Sequence, residues 1–141
     1  MAEAGAGALT RQKIGKGNNV TVKESYHQLG GDYQDVLDRF YNEALVRSFM
    51  EKFLRDTSFS DLKKAVETRD AHTAFCAANV LKGICQSLAF HRLGKCTAEI
   101  TEDLREQDLT RARARLPEAE QAYRETLKAI RAVCGPAETK N

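Results

Sequence analysis

If residues 70–89 form a helix, His72, Asn79 and Gln86 recur at intervals of seven and Lys82 follows Asn79 by three. At about 100° of turn per residue that spacing puts His72, Asn79 and Gln86 near one line, with Cys76 and Gly83 on one flank and Phe75 and Lys82 on the other. An imidazole carries a nucleophilic nitrogen near neutral pH, and a lysine offers a mobile cation to a phosphoryl group. A carboxamide does neither: the nitrogen lone pair of Asn79 is delocalised into its carbonyl, so it donates and accepts hydrogen bonds only. Gly83 lets another backbone come close. The line therefore suits recognition of a partner surface centred on Asn79 rather than nucleophilic attack by it. The plain alternative is an ordinary wet helix face, with Gly83 serving the approach of two helices.

Other chemistry is thinly represented. Cys76, Cys85, Cys96 and Cys134 show no CxxC and no Cys/His ligand spacing, so they read as buried free thiols, Cys76 as a small residue at the core edge. No metal and no cofactor is expected. Spacing joins no Ser/His/Asp or Cys/His pair, and the carboxylates belong to solvated faces, so an enzyme is not expected. Lys and Arg number 22 against 20 Asp and Glu, which leaves no broad basic field for nucleic acid. The densest basic run, Arg111, Arg113 and Arg115, leads into Glu118 and Glu120 and reads as a solvated helix face. No apolar run is long enough to span a bilayer, and the basic start has no apolar stretch behind it, so a cytoplasmic protein without membrane insertion is expected.

The elements that position this line are helical throughout. Residues 1–19, with Gly5, Gly7, Gly15 and Gly17, read as a flexible leader, and 135–141 as a flexible tail. Between them 20–134 forms one domain. A short helix over Val20 to Leu29 ends at Gly30 and Gly31, and Asp32 caps the next. Apolar residues from Tyr33 to Leu54 keep helical spacing, but the stripe drifts near 45, where Asn42 can cap a new helix after a break between 41 and 45. Thr57, Ser58 and Ser60 mark a turn before a helix carrying Leu62, Ala65 and Val66.

From Asp70 to Ala89 the helix back is apolar: Ala74, Ala77, Ala78, Val80, Leu81, Ile84, Cys85 and Leu88. Helices over His91 to Gln107 and Leu109 to Cys134 follow, with Pro117 expected to kink the last one or to begin it afresh. Nothing alternates with period two, so no strands are expected, and there is no internal repeat. Short connections near 57, 70, 90 and 108 predict an all-α antiparallel four-helix bundle with short additional N-terminal helices. Its expected core contains Ala74, Leu81, Leu88, Leu93, Ile100, Leu104, Tyr123, Leu127 and Ile130, with Asn79, Lys82 and Gln86 exposed.

Ala78-Asn79-Val80-Leu81-Lys82-Gly83 resembles the A-H-x-L-K-G signature of histidine-phosphotransfer (HPt) domains and departs from it only at the active histidine. The surroundings are similar too: the turn Gly30-Gly31-Asp32, Phe53 in the helix before the turn, Leu88 after the motif, and a terminal helix with Tyr123 and Ile130. The similarity covers about residues 22–133. It implies a four-helix bundle that meets receiver domains of response regulators or hybrid sensor kinases, with Lys82 steadying a phosphoryl group and Gly83 clearing room for the receiver. His72, Phe75, Cys76, Asn79, Lys82, Gly83 and Gln86 are then the partner-binding residues. Where the family often carries Asn-Leu-Gly, this chain has Ser87-Leu88-Ala89, a looser match that bears on docking detail.

Asparagine at the acceptor position implies a pseudo-phosphotransfer protein in two-component signalling, one that occupies a receiver without relaying phosphate. Three other readings stay open. Asn79 is an engineered substitution in a relay protein. Another histidine has taken over, although His72 lies roughly 10 Å along the axis from Asn79 and His27 and His91 fall near helix ends. Or the chain is an unrelated helical interaction module, since a bundle alone implies no function.

Overall fold

Capping side chains set where the helices begin, and the computed structural model, which describes residues 20–135, places them close to the sequence signals. Thr21 and Glu24 exchange backbone and side-chain hydrogen bonds of 3.0 and 3.1 Å, the reciprocal cap that opens α1, Val22–Leu29. Gly30 closes α1 at φ 77°, a left-handed conformation that glycine adopts without a Cβ penalty. Asp32 caps α2, Tyr33–Phe40, by accepting from the Asp35 amide. The expected break follows: Tyr41 turns left-handed at φ 59°, and Asn42 Oδ1 accepts from the Ala44 and Leu45 amides to open α3, Glu43–Phe53.

Helix α4, Ser58–Glu67, starts earlier than the polar residues suggest. Thr57 makes no side-chain cap bond; the Ser58 amide donates instead to Asp56 Oδ2 at 2.9 Å, so Ser58 and Ser60 belong to the helix and not to the turn. Asp70 caps α5, Ala71–Leu88, through the Thr73 amide, and Ala89 closes it at φ 56°. Helix α6 runs over His91–Arg105 and α7 over Leu109–Cys134.

Helix α7 passes through Pro117 as one helix and does not restart there. Proline leaves the Arg113 carbonyl without its usual donor, but Arg113 and Pro117 both face solvent, where water replaces the lost bond, and burial of Leu116 and Ala119 holds the helix across the gap. No described residue lies in a strand. The leader expected over 1–19, and the tail expected over 135–141 beyond Gly135, lie outside the described residues.

The site helix α5 packs against α4 and α6; α7 packs against α1, α4 and α6. The buried side of α5 is narrower than its apolar arc. Ala74, Ala78, Leu81, Cys85 and Leu88 are buried, Ala77 and Ile84 are half-buried, and Val80, placed by its spacing on the apolar back, is 55% exposed. Val80 stands about 100° around the helix from Asn79, at the edge of the arc that the neighbouring helices cover.

Helix α7 is also turned relative to expectation. Its buried line is Ala112, Leu116, Ala119, Ala122, Thr126, Ala129, Ile130 and Val133, leaving Tyr123 and Leu127 half-buried. Small residues let α7 come close to its neighbours, and the Tyr123 ring lies at the seam, stacked on Phe59 at 4.5 Å and edge-on to Phe53 at 6.0 Å.

The turn between α1 and α2 is clamped onto the end of α5. Tyr26 Oη donates to the Leu88 carbonyl at 2.7 Å, the Asp32 amide to the Ala89 carbonyl at 3.0 Å, and the Arg92 amide to the Gly30 carbonyl at 3.1 Å. Gly31 sits inside this clamp. A Cβ there would stand 2.6 Å from the Ala89 carbonyl oxygen and 2.8 Å from side-chain carbons of Leu29 and Tyr26. Gly31→Ala is therefore expected to cost about 1–3 kcal/mol, since backbone cannot yield as a flexible side chain can. Urea denaturation measures it, and an unchanged midpoint would refute the clamp.

Candidate functional site

Helix α5 has no Asp or Glu from Ala71 to Leu88; its ionisable side chains are His72, Cys76, Lys82 and Cys85. Asn79 is exposed near the middle of the helix, in line with exposed His72 and Gln86. Gly83 is exposed, and a Cβ built on it would meet nothing within 4 Å. The idea that Gly83 exists for helix packing finds no neighbour to pack against among the described residues. Phe75 is half-buried and Cys76 exposed, a correction to the core-edge reading of that thiol: it projects from the face instead of tucking under it.

Lys82 is half-buried where full exposure was expected, because it leaves the helix on the flank turned toward α6. A lysine lays its methylenes along the protein there and keeps its ammonium at the edge. That ammonium forms no ion pair and no hydrogen bond with any described residue. Some cations elsewhere are matched, Arg39 with Asp35, Arg92 with Glu125, Arg115 with Asp103 and Glu99, whereas Lys64, Arg111 and Arg113, like Lys82, pair with no described carboxylate. The pairing of Arg115 also amends the reading of the basic run, since Arg111 and Arg113 face solvent while Arg115 is half-buried against Asp103 at 2.6 Å.

The face has two walls. On one side α4 and α5 form a groove whose lining includes Asp61, Lys64, Thr68, Asp70, Cys76, Ala77 and Val80, so its carboxylates come from α4 and from the cap of α5 and not from within α5. On the other, His72, Phe75, Leu104 and Arg105 line a second groove, with the Arg105 guanidinium 5.3 Å from the centre of the Phe75 ring. At the lower end Arg39 donates to the carbonyls of Gln86 and Ser87 at 2.8 and 2.7 Å, satisfying the last turn of α5 and fixing α2 beside it.

Two arrangements escaped the sequence reading. His72 Nε2 and Cys76 Sγ stand 3.8 Å apart, one helical turn from each other, a pair that the four-residue spacing already contained. The clamp by Arg39 had no local signal, because it joins residues far apart in the chain. Elsewhere His91 lies 3.9 Å from Asp35 and is largely exposed, and His27 sits in the last turn of α1; neither meets the Asn79 line. No group of three or more metal-binding side chains occurs among the described residues, and no helix there is long and apolar enough to cross a membrane.

The thiols differ sharply. Burial pushes the Cys85 thiol up to about 12, so it stays protonated and shielded, while Cys76 is open to solvent. Iodoacetamide at pH 8 is expected to modify Cys76 in the folded protein and Cys85 only in urea, as read by mass spectrometry of peptides. Rapid labelling of Cys85 without denaturant would mean that α5 presents a different face.

No family model, no curated protein and no solved structure matches this chain.

Proposed function

We propose that this protein is a pseudo-histidine-phosphotransfer module that docks a receiver domain of a response regulator or hybrid sensor kinase and relays no phosphate. One observation carries the reading: the carboxylate-free face of α5, on which exposed Asn79 stands beside an unmatched Lys82 and an open Gly83. Such a face complements an acidic phosphorylation pocket in sign and lets its rim approach closely. Helices α4 to α7, each packed on the next and α7 back on α4, are read as the antiparallel four-helix bundle of the family, with α1 to α3 as the additional helices. The A-N-V-L-K-G run at residues 78–83 lies on the second helix of that set, midway along it.

The test is binding of the full chain to each receiver domain encoded in its source genome, with Gly83→Glu as the probe variant. The added side chain meets open space and replaces a helix-weakening residue, so the variant is expected to fold at least as stably as the parent. Its negative charge faces the partner's acidic pocket, and receiver affinity is expected to fall about tenfold or more. Equal binding by parent and variant would place the docking surface elsewhere. Binding to no receiver would leave the chain as a helical interaction module for a different partner.

A further inference from the structure

Resting on the docking reading above, we propose that the Asn79 face selects the phosphorylated form of its receiver and shields the acyl phosphate from water, so that docking prolongs the phosphorylated state. The lifetime of an aspartyl phosphate ends when a water oxygen attacks phosphorus in line with the bond to the carboxylate. The new P–O bond forms, the old one breaks, the aspartate leaves as carboxylate and the water's protons pass to inorganic phosphate and solvent. A group that fills the in-line position without being a nucleophile removes that route.

Asn79 has those properties. It is exposed at the middle of the face, its amide NH2 donates a hydrogen bond to a phosphoryl oxygen, and its nitrogen forms no bond to phosphorus. Lys82, one turn away and matched by no described carboxylate, adds a cation that an unphosphorylated pocket cannot use as well as a phosphorylated one. The absence of Asp and Glu from the whole of α5 means that no like charge opposes the phosphoryl oxygens from that helix. The flanks carry apolar surface that excludes water: Val80 at 55% exposure on one side and the half-buried Phe75 ring on the other form an apolar rim beside the polar centre. Apolar groups around a polar contact keep solvent out of it. Open space over Gly83 lets the receiver's backbone close onto that rim.

The experiment uses the full chain and any receiver domain that binds it. The receiver is labelled with radioactive acetyl phosphate and Mg2+, freed of excess reagent, and its loss of label is followed with and without a saturating amount of this protein. The half-life is expected to lengthen about fivefold or more. Lys82→Gln is expected to abolish most of that gain and to weaken binding to the beryllofluoride form of the receiver by about tenfold, with a smaller loss toward the unmodified form. Circular dichroism of Lys82→Gln verifies its helix content. An unchanged or shortened half-life in a complex shown by calorimetry to be formed overturns the shielding proposal and leaves the docking reading standing. Equal affinity for the beryllofluoride and unmodified forms overturns the selectivity in the same way. Failure to bind any receiver of the source genome removes the docking reading and this inference together.

Discussion

Asn79→His is expected to gain an acid-labile phosphoryl group from a phosphorylated receiver that binds the protein, while the sequence as it stands gains none. The change in label is from background to a large fraction of the chains, because a neutral imidazole supplies the lone pair that the carboxamide lacks. The surroundings need no rebuilding: the position is exposed, Lys82 has no competing partner, and Gly83 leaves room for the receiver. The double variant Asn79→His with His72→Ala is expected to keep the label, since His72 lies roughly 10 Å along the helix and is turned to the Cys76 thiol. Label on the unaltered protein that disappears with His72→Ala would show a substitute acceptor. No label on Asn79→His from any receiver that binds would mean that the face does not present this position to the reacting phosphorus.

Leu81→Ala is expected to destabilise the fold by about 2–5 kcal/mol, whereas its neighbour Val80→Ala is expected to cost only about 0.5 kcal/mol. The pair measures how α5 is turned. Leu81 is fully buried on the side opposite the Asn79 line, in the cluster that includes Ala78, Cys85 and Ile100. Removing three carbons there leaves a cavity that the surrounding helices cannot fill, while Val80 loses contacts on one side only. Thermal and urea unfolding of both variants gives the comparison. Equal costs would mean that Val80 is buried in solution and that the helix is rotated relative to the structure. Under the proposed docking role, receiver binding should survive Leu81→Ala wherever the variant is folded, because the substitution lies on the side of α5 opposite the Asn79 line.

Local chemistry made most of the helix boundaries legible in the sequence. The caps at Asp32, Asn42, Asp70 and Asp108 follow from side chains acting within a few residues of themselves, and the stop at Gly30 from glycine's left-handed backbone, while the connection near 90 has no side-chain cap. The line His72, Asn79, Gln86 was legible for the same reason, since helical periodicity alone puts those residues on one side.

Rotation of each helix against its neighbours was not legible, because it depends on which faces interlock. An apolar arc wider than the contact it makes leaves Val80 outside, and a helix rich in alanine turns Ala122 and Thr126 inward while Tyr123 moves to the seam. Pro117 remained inside one helix because packing on both sides of it outweighed a single missing hydrogen bond. The state of Lys82, half-buried and unmatched, and the clamp of Arg39 on Gln86 and Ser87 were likewise set in three dimensions, by which charges the other helices bring within reach. The sequence thus determined that a carboxamide stands on the polar line of a helix, through spacing and residue type. Only the tertiary structure decided that this line stays open, free of carboxylates within reach of Lys82 and bordered by an exposed valine, because only packing determines what each helix leaves uncovered.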